Sequence, residues 1–99
     1  MRPTKIRVFG SDFSVGWPDT IPGAVGLCEA DKERISVCTK QAPVAELDTL
    51  LHEVIHAIEY KMGMDHNEDW TRRIATGLVG VFRDNPDFMK YMNAIVKGK

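Results

Sequence analysis

Apolar residues recur at spacings of three and four through Leu47, Leu50, Leu51, Val54, Ile55 and Ile58. That period gathers them on one broad face of a helix that starts near Pro43, runs to about Met62 and is stopped by Gly63. Such a helix must bury its apolar face. A chain of 99 residues has material for one domain and one modest core in which to do so, so residues 1–99 are expected to form a single unit. At this size a bound metal or an oligomeric partner would add useful stability.

The cover for that face is expected from the first 40 residues. Lys5 to Phe9 alternates polar and apolar side chains, Gly10-Ser11-Asp12 reads as a turn, and Phe13 to Trp17 continues as a second short strand. Trp17 to Gly23 carries Pro18, Pro22 and Gly23 and reads as a rigid irregular loop, with Trp17 as a lid over the core. Ala24–Glu29 and Arg34–Thr39 follow as an expected antiparallel hairpin, with Ile35 and Val37 on one face. Cys28 and Cys38 lie in these two runs. They read as two free thiols of a reducing compartment, with a disulfide or a supporting metal role as the alternatives.

Two further helices are expected. Asn67 is a good N-cap with Glu68 and Asp69 in the first turn, and Ile74, Leu78, Val81 and Phe82 form an apolar stripe, with Ala75, Gly77 and Gly80 allowing close helix approach. Asn85-Pro86-Asp87 restarts the chain as cap, first helical residue and acidic first turn. Phe88, Tyr91, Met92 and Ile95 make that last helix amphipathic, and Val96 to Lys99 is expected to fray. The expected class is α+β: a three- or four-stranded antiparallel sheet against a central helix and two more.

Thirteen basic residues stand against fourteen acidic ones and both signs are scattered, so no electrostatic footprint for nucleic acid or an anionic membrane is present. No stretch has the length of a membrane span or the pattern of a signal peptide, and a cytoplasmic protein is the expectation.

The central helix contains His52-Glu53-Val54-Ile55-His56. Four residues advance a helix by about 6 Å and about 400°, so both imidazoles project from nearly the same face, one turn apart, where they can hold one zinc ion. Glu53 stands about 60° round the axis from His56, within reach of a water on that ion as general base but outside its coordination shell. A catalytic zinc takes three protein ligands and leaves a position open, so a third ligand is required from beyond Gly63. Glu68 is the first choice, since it opens the next helix in line with Thr71, Ala75 and Leu78, the side expected to face the first helix; His66 is the rival, and Asp65 and Asp69 are weaker alternatives. His66 could instead be a loop residue or an oxyanion donor. Tyr60 reads as a rim residue, with oxyanion stabilisation as its alternative.

At these residues the chain resembles the zincin metallopeptidases, and in particular the very small zinc-peptidase-like proteins encoded by bacteria and their phages. Thr49-Leu50-Leu51-His52-Glu53-Val54-Ile55-His56-Ala57-Ile58 matches their helix. Arg73 to Leu78 and Asp84-Asn85-Pro86 resemble the second helix and turn that follow it, and the strands at Gly26-Leu27-Cys28 and Ile35-Ser36-Val37 also fit. The resemblance implies a minimal zincin-like fold, His52 and His56 as zinc ligands, Glu53 as general base, and Glu68 or Asp69 as third ligand. The chain departs from metzincins in lacking their His-x-x-Gly-x-x-His continuation, and from thermolysin-like helices in the spacing of the later acids.

The function expected is zinc-dependent hydrolysis of a bond in a peptide or protein substrate. The alternative is a non-catalytic, zinc-stabilised interaction module of phage or bacterial regulation. Oligomeric state has no signature here.

Overall fold

The computed structural model describes residues 1–98 and is α+β. Four strands, β1 (Lys5–Val8), β2 (Ser11–Gly16), β3 (Gly26–Glu29) and β4 (Arg34–Val37), precede three helices, α1 (Pro43–Lys61), α2 (Glu68–Asp84) and α3 (Pro86–Lys97).

The sheet runs β1-β2-β4-β3 and is mixed, which corrects the expectation of a purely antiparallel one. The β1–β2 and β3–β4 pairs are antiparallel hairpins, but β2 and β4 run parallel, with Val15 level with Ile35. The proline-containing loop after β2 carries the chain to the far edge before β3 begins. The returning β4 therefore slots in beside β2, in the same direction. Ile35 and Val37 make β4 the more apolar member of its hairpin, and it takes the interior position while β3 remains at the edge.

One sheet face is apolar. Val8, Phe13, Val15, Ile35 and Val37 are buried on it against Ala57, with Leu50, Val54 and Ile58 of α1 partly buried around them. Complete burial of a side chain such as Phe13 or Ile35 contributes about 1.5–3 kcal/mol. Trp17 packs against this cluster as expected, its indole N–H donating to the Pro3 carbonyl at 2.7 Å. Cys28 is level with Ile35 rather than with Cys38, so register keeps the two thiols apart and both are free. Burial, reinforced by Glu53 and Glu29, pushes the Cys28 thiol up to about 11.

The helix α1 ends as the pattern requires. Gly63 takes φ +66°, and the Met64 and Gly63 N–H groups reach back to the carbonyls of Glu59 and Tyr60, at 2.9 and 3.2 Å. This closure turns the chain sharply, and α2 returns along the side of α1 away from the sheet. Asn67 caps it, its side-chain oxygen accepting from the Trp70 N–H at 3.0 Å.

The buried face of α2 is Thr71, Ala75 and Val79, one residue per turn. The stripe Ile74, Leu78 and Val81 expected to be buried is exposed, and Gly77 and Gly80 meet nothing. Small residues won the interface because they let α2 approach α1 closely, which leaves the larger ones outside. Asn85 does not cap α3 with its side chain. It donates instead to the Val81 carbonyl at 2.8 Å, closing α2, and α3 stays helical through Lys97 with no buried residue. No helix is long and apolar enough to cross a membrane among the described residues.

Candidate metal centre

The α1–α2 pairing decides what faces the two histidines. His52 and His56 leave α1 on the side toward α2, and the close contact through Thr71 sets the first residue of α2, Glu68, opposite them. The two Nε2 atoms are 3.0 Å apart. Glu68 Oε2 lies 2.8 Å from His52 Nε2, and its Oε1 lies 2.8 Å from His56 Nε2.

Two imidazole nitrogens and a carboxylate converging at this spacing bring electron-rich atoms together, and only positive charge between them, from protons or a cation, relieves the repulsion. Donors at about 2.0–2.1 Å from a tetrahedral zinc stand about 3.3 Å from one another, so the three need to open by only a few tenths of an ångström to fit that ion. The set of two imidazoles and one carboxylate also suits zinc chemically. Partial burial acts to raise the Glu68 carboxyl, but His52 and His56 outweigh it and hold the group below the ordinary carboxylate range.

Two of the rival third ligands fall elsewhere, while His66 stands with His56 and Glu59 in a second group whose possible ligand atoms lie within 4.8 Å of one another. Asp69 is turned to Arg72 and Arg73, with Arg73 Nε at 3.0 Å. Asp65 joins no cluster among the described residues. His66 stays at the rim, its ring stacked on that of His56 with centroids 4.3 Å apart and its Nε2 3.5 Å from Glu68 Oε1. Tyr60 is exposed and lines a small side cavity with His56, Glu59 and His66.

Glu53 is 7% exposed and lies at the floor of a cleft of about 490 Å³, between the histidine pair and the edge strand β3. Burial pushes its carboxyl up to about 7, with His56 pulling it down and Glu68 pushing it further up. A carboxylate that changes protonation near neutrality is suited to taking and returning a proton. Its place depends on a residue that sequence reading passed over. A Cβ on Gly26 would stand 2.5 Å from Thr49 Cγ2 and 2.9 Å from Glu53 Oε2, so glycine is what lets β3 lie against this part of α1.

The second missed residue is Glu59, buried behind His56. Its Oε1 meets His56 Nδ1 at 2.9 Å and its Oε2 accepts the Thr71 hydroxyl at 2.9 Å. The signal was present as a carboxylate three residues beyond a histidine on a helix, a spacing at which side chains meet.

Comparison with family models, with curated proteins and with solved structures returned no match.

Proposed function

We propose that the chain is a zincin-like, zinc-dependent hydrolase that cleaves a peptide bond, with His52, His56 and Glu68 holding the ion and Glu53 as general base. The observation that carries this reading is the convergence of those three side chains at 2.8–3.0 Å beside a buried carboxylate, with His52, Glu53 and Glu68 lining an open cleft. Zinc held there supplies a Lewis acid that makes water more acidic and polarises a carbonyl. Glu53 takes the proton from the attacking water and returns it to the departing amine. The cleft walls, from Gly26 on one side to Arg72 and Thr76 on the other, admit an extended chain of a peptide or protein substrate. The cytoplasm is the compartment that free cysteines fit best.

A second reading, a zinc-stabilised interaction module, draws on a different observation. Ile74, Leu78 and Val81 of α2 and Phe88, Tyr91 and Ile95 of α3 are exposed large apolar side chains on neighbouring helices, the kind of surface a partner covers.

Elemental analysis together with Glu53→Gln separates the readings. The hydrolase contains about one zinc per chain, and the variant keeps the metal while losing cleavage of a diverse peptide library. A wild type that holds zinc and cuts nothing supports the module, and one that binds no zinc overturns both.

A further inference from the structure

Glu59 is a buried carboxylate that the proposed reaction does not use. Its side chain is 5% exposed, a location where a leucine would fill space without the desolvation penalty of an ionisable group. Both its oxygens are engaged, and by different helices. Oε1 is 2.9 Å from Nδ1 of His56, on its own helix, and Oε2 accepts the hydroxyl of Thr71, across the α1–α2 contact, at 2.9 Å. His66 Nδ1 stands farther off, at 4.0 Å, so His56 is the ring that Glu59 holds.

Two consequences follow from those bonds. A carboxylate accepts and cannot donate when ionised, so its bond to His56 calls for the proton on Nδ1, in competition with Glu68 Oε1 at 2.8 Å from Nε2, and it is the Nδ1–H form that leaves the Nε2 lone pair for a cation between His52 and Glu68. Thr71 is completely buried and lies three residues after Glu68 on α2, so fixing Thr71 also sets the rotation and height of the turn that presents Glu68.

We propose that Glu59 is a positioning residue that holds His56 in its Nδ1–H tautomer and, through Thr71, keeps Glu68 opposite it, so that one buried carboxylate prepares two of the three candidate ligands. The part concerning zinc rests on the metal reading above; the part concerning the tautomer does not. A charged partner behind an imidazole also makes its free nitrogen a stronger donor, and loss of such a partner weakens metal binding by about 10- to 100-fold.

The test uses the full chain with Glu59→Gln, which retains the shape and a polar partner for Thr71 but removes the charge and can turn its amide N–H2 to Nδ1, so that a proton on that atom is no longer required. Three measurements are made on it: metal-free melting temperature, long-range nitrogen–proton NMR of the histidines in metal-free protein at pH 8, and zinc affinity by chelator competition. The expected result is a melting temperature near that of wild type, a His56 shifted from Nδ1–H toward Nε2–H, and zinc affinity lower by about 10- to 100-fold. Thr71→Val should weaken zinc binding in the same direction, with Thr71→Ser restoring it.

An unchanged tautomer ratio overturns the inference. So does an unchanged zinc affinity in a folded variant, and so does a large fall in metal-free stability with affinity per folded molecule intact, which makes Glu59 only a latch between helices. If wild type binds no zinc, the metal reading fails by itself, and the NMR comparison still decides whether Glu59 sets the His56 tautomer.

Discussion

Replacing Glu53 by glutamine should make the metal-free protein more stable above neutral pH and change little in acid. In the fold the Glu53 carboxyl is raised from its ordinary value of 4.5 to about 7, chiefly because it is buried. Protonation therefore favours the folded state. Below pH 4.5 both folded and unfolded chains carry the proton and nothing is lost. As pH rises from 4.5 through 7 the unfolded chain releases it first, and stability falls. At 1.36 kcal/mol per pH unit, this interval corresponds to a ceiling of about 3.4 kcal/mol. The carboxylate opens onto the cleft, so solvent screening reduces the expected loss to about 2 kcal/mol. Glutamine has no such proton to lose. Urea unfolding in chelator, followed by tryptophan fluorescence from pH 4.5 to 8, should show the advantage of Glu53→Gln growing by about 2 kcal/mol across that range. The subtraction removes the titrations of groups that do not interact with Glu53. A difference that stays flat with pH would refute the argument that Glu53 is held in a desolvated place.

Gly26→Ala puts a methyl group 2.5 Å from Thr49 Cγ2, and Thr49 has little room to yield because its hydroxyl is bonded to the Ala45 carbonyl at 2.9 Å. Thermal or urea denaturation should show a loss of about 1–3 kcal/mol, and peptide cleavage should fall more than zinc content, since Glu53 is displaced while the histidines are not. Among single alanine substitutions, Glu68→Ala should lower zinc occupancy in competition with a chelator. Asp69→Ala, Asp65→Ala and His66→Ala should keep it, and loss in Asp69→Ala with retention in Glu68→Ala would reassign the third ligand.

The parts of this fold that were legible in the sequence are those set by neighbours along the chain. The α1 helix, its Gly63 stop, the Asn67 cap, the β3–β4 hairpin and the one-turn spacing of His52 and His56 all follow from local periods and capping chemistry. Strand order did not follow, because the parallel β2–β4 pair depends on where a long loop delivers the chain. The α2 stripe was misjudged for a related reason. The row Thr71 and Ala75 faces α1 as its spacing from Glu68 implies, but it continues to Val79 rather than Leu78, and hydrophobic period alone does not weigh how closely such small residues let two helices approach. That same approach sets Glu68 facing the histidines, so the third candidate ligand could be ranked from sequence but not separated from its rivals. The sequence marks Gly26 only as part of a strand and Glu59 not at all, because the first acts across elements distant in the chain and the second on a helix face with the pattern of ordinary amphipathic surface.

The central claim is that His52, His56 and Glu68 enclose one zinc ion. X-ray absorption at the zinc edge on purified protein tests it most directly. Zinc held by these side chains shows two nitrogen scatterers at about 2.0–2.1 Å and carboxylate oxygen at about 2.0–2.2 Å, with the signal lost in His52→Ala and the oxygen shell altered in Glu68→Ala. Protein free of zinc after purification and after zinc addition, or a zinc shell unchanged by either substitution, would contradict it.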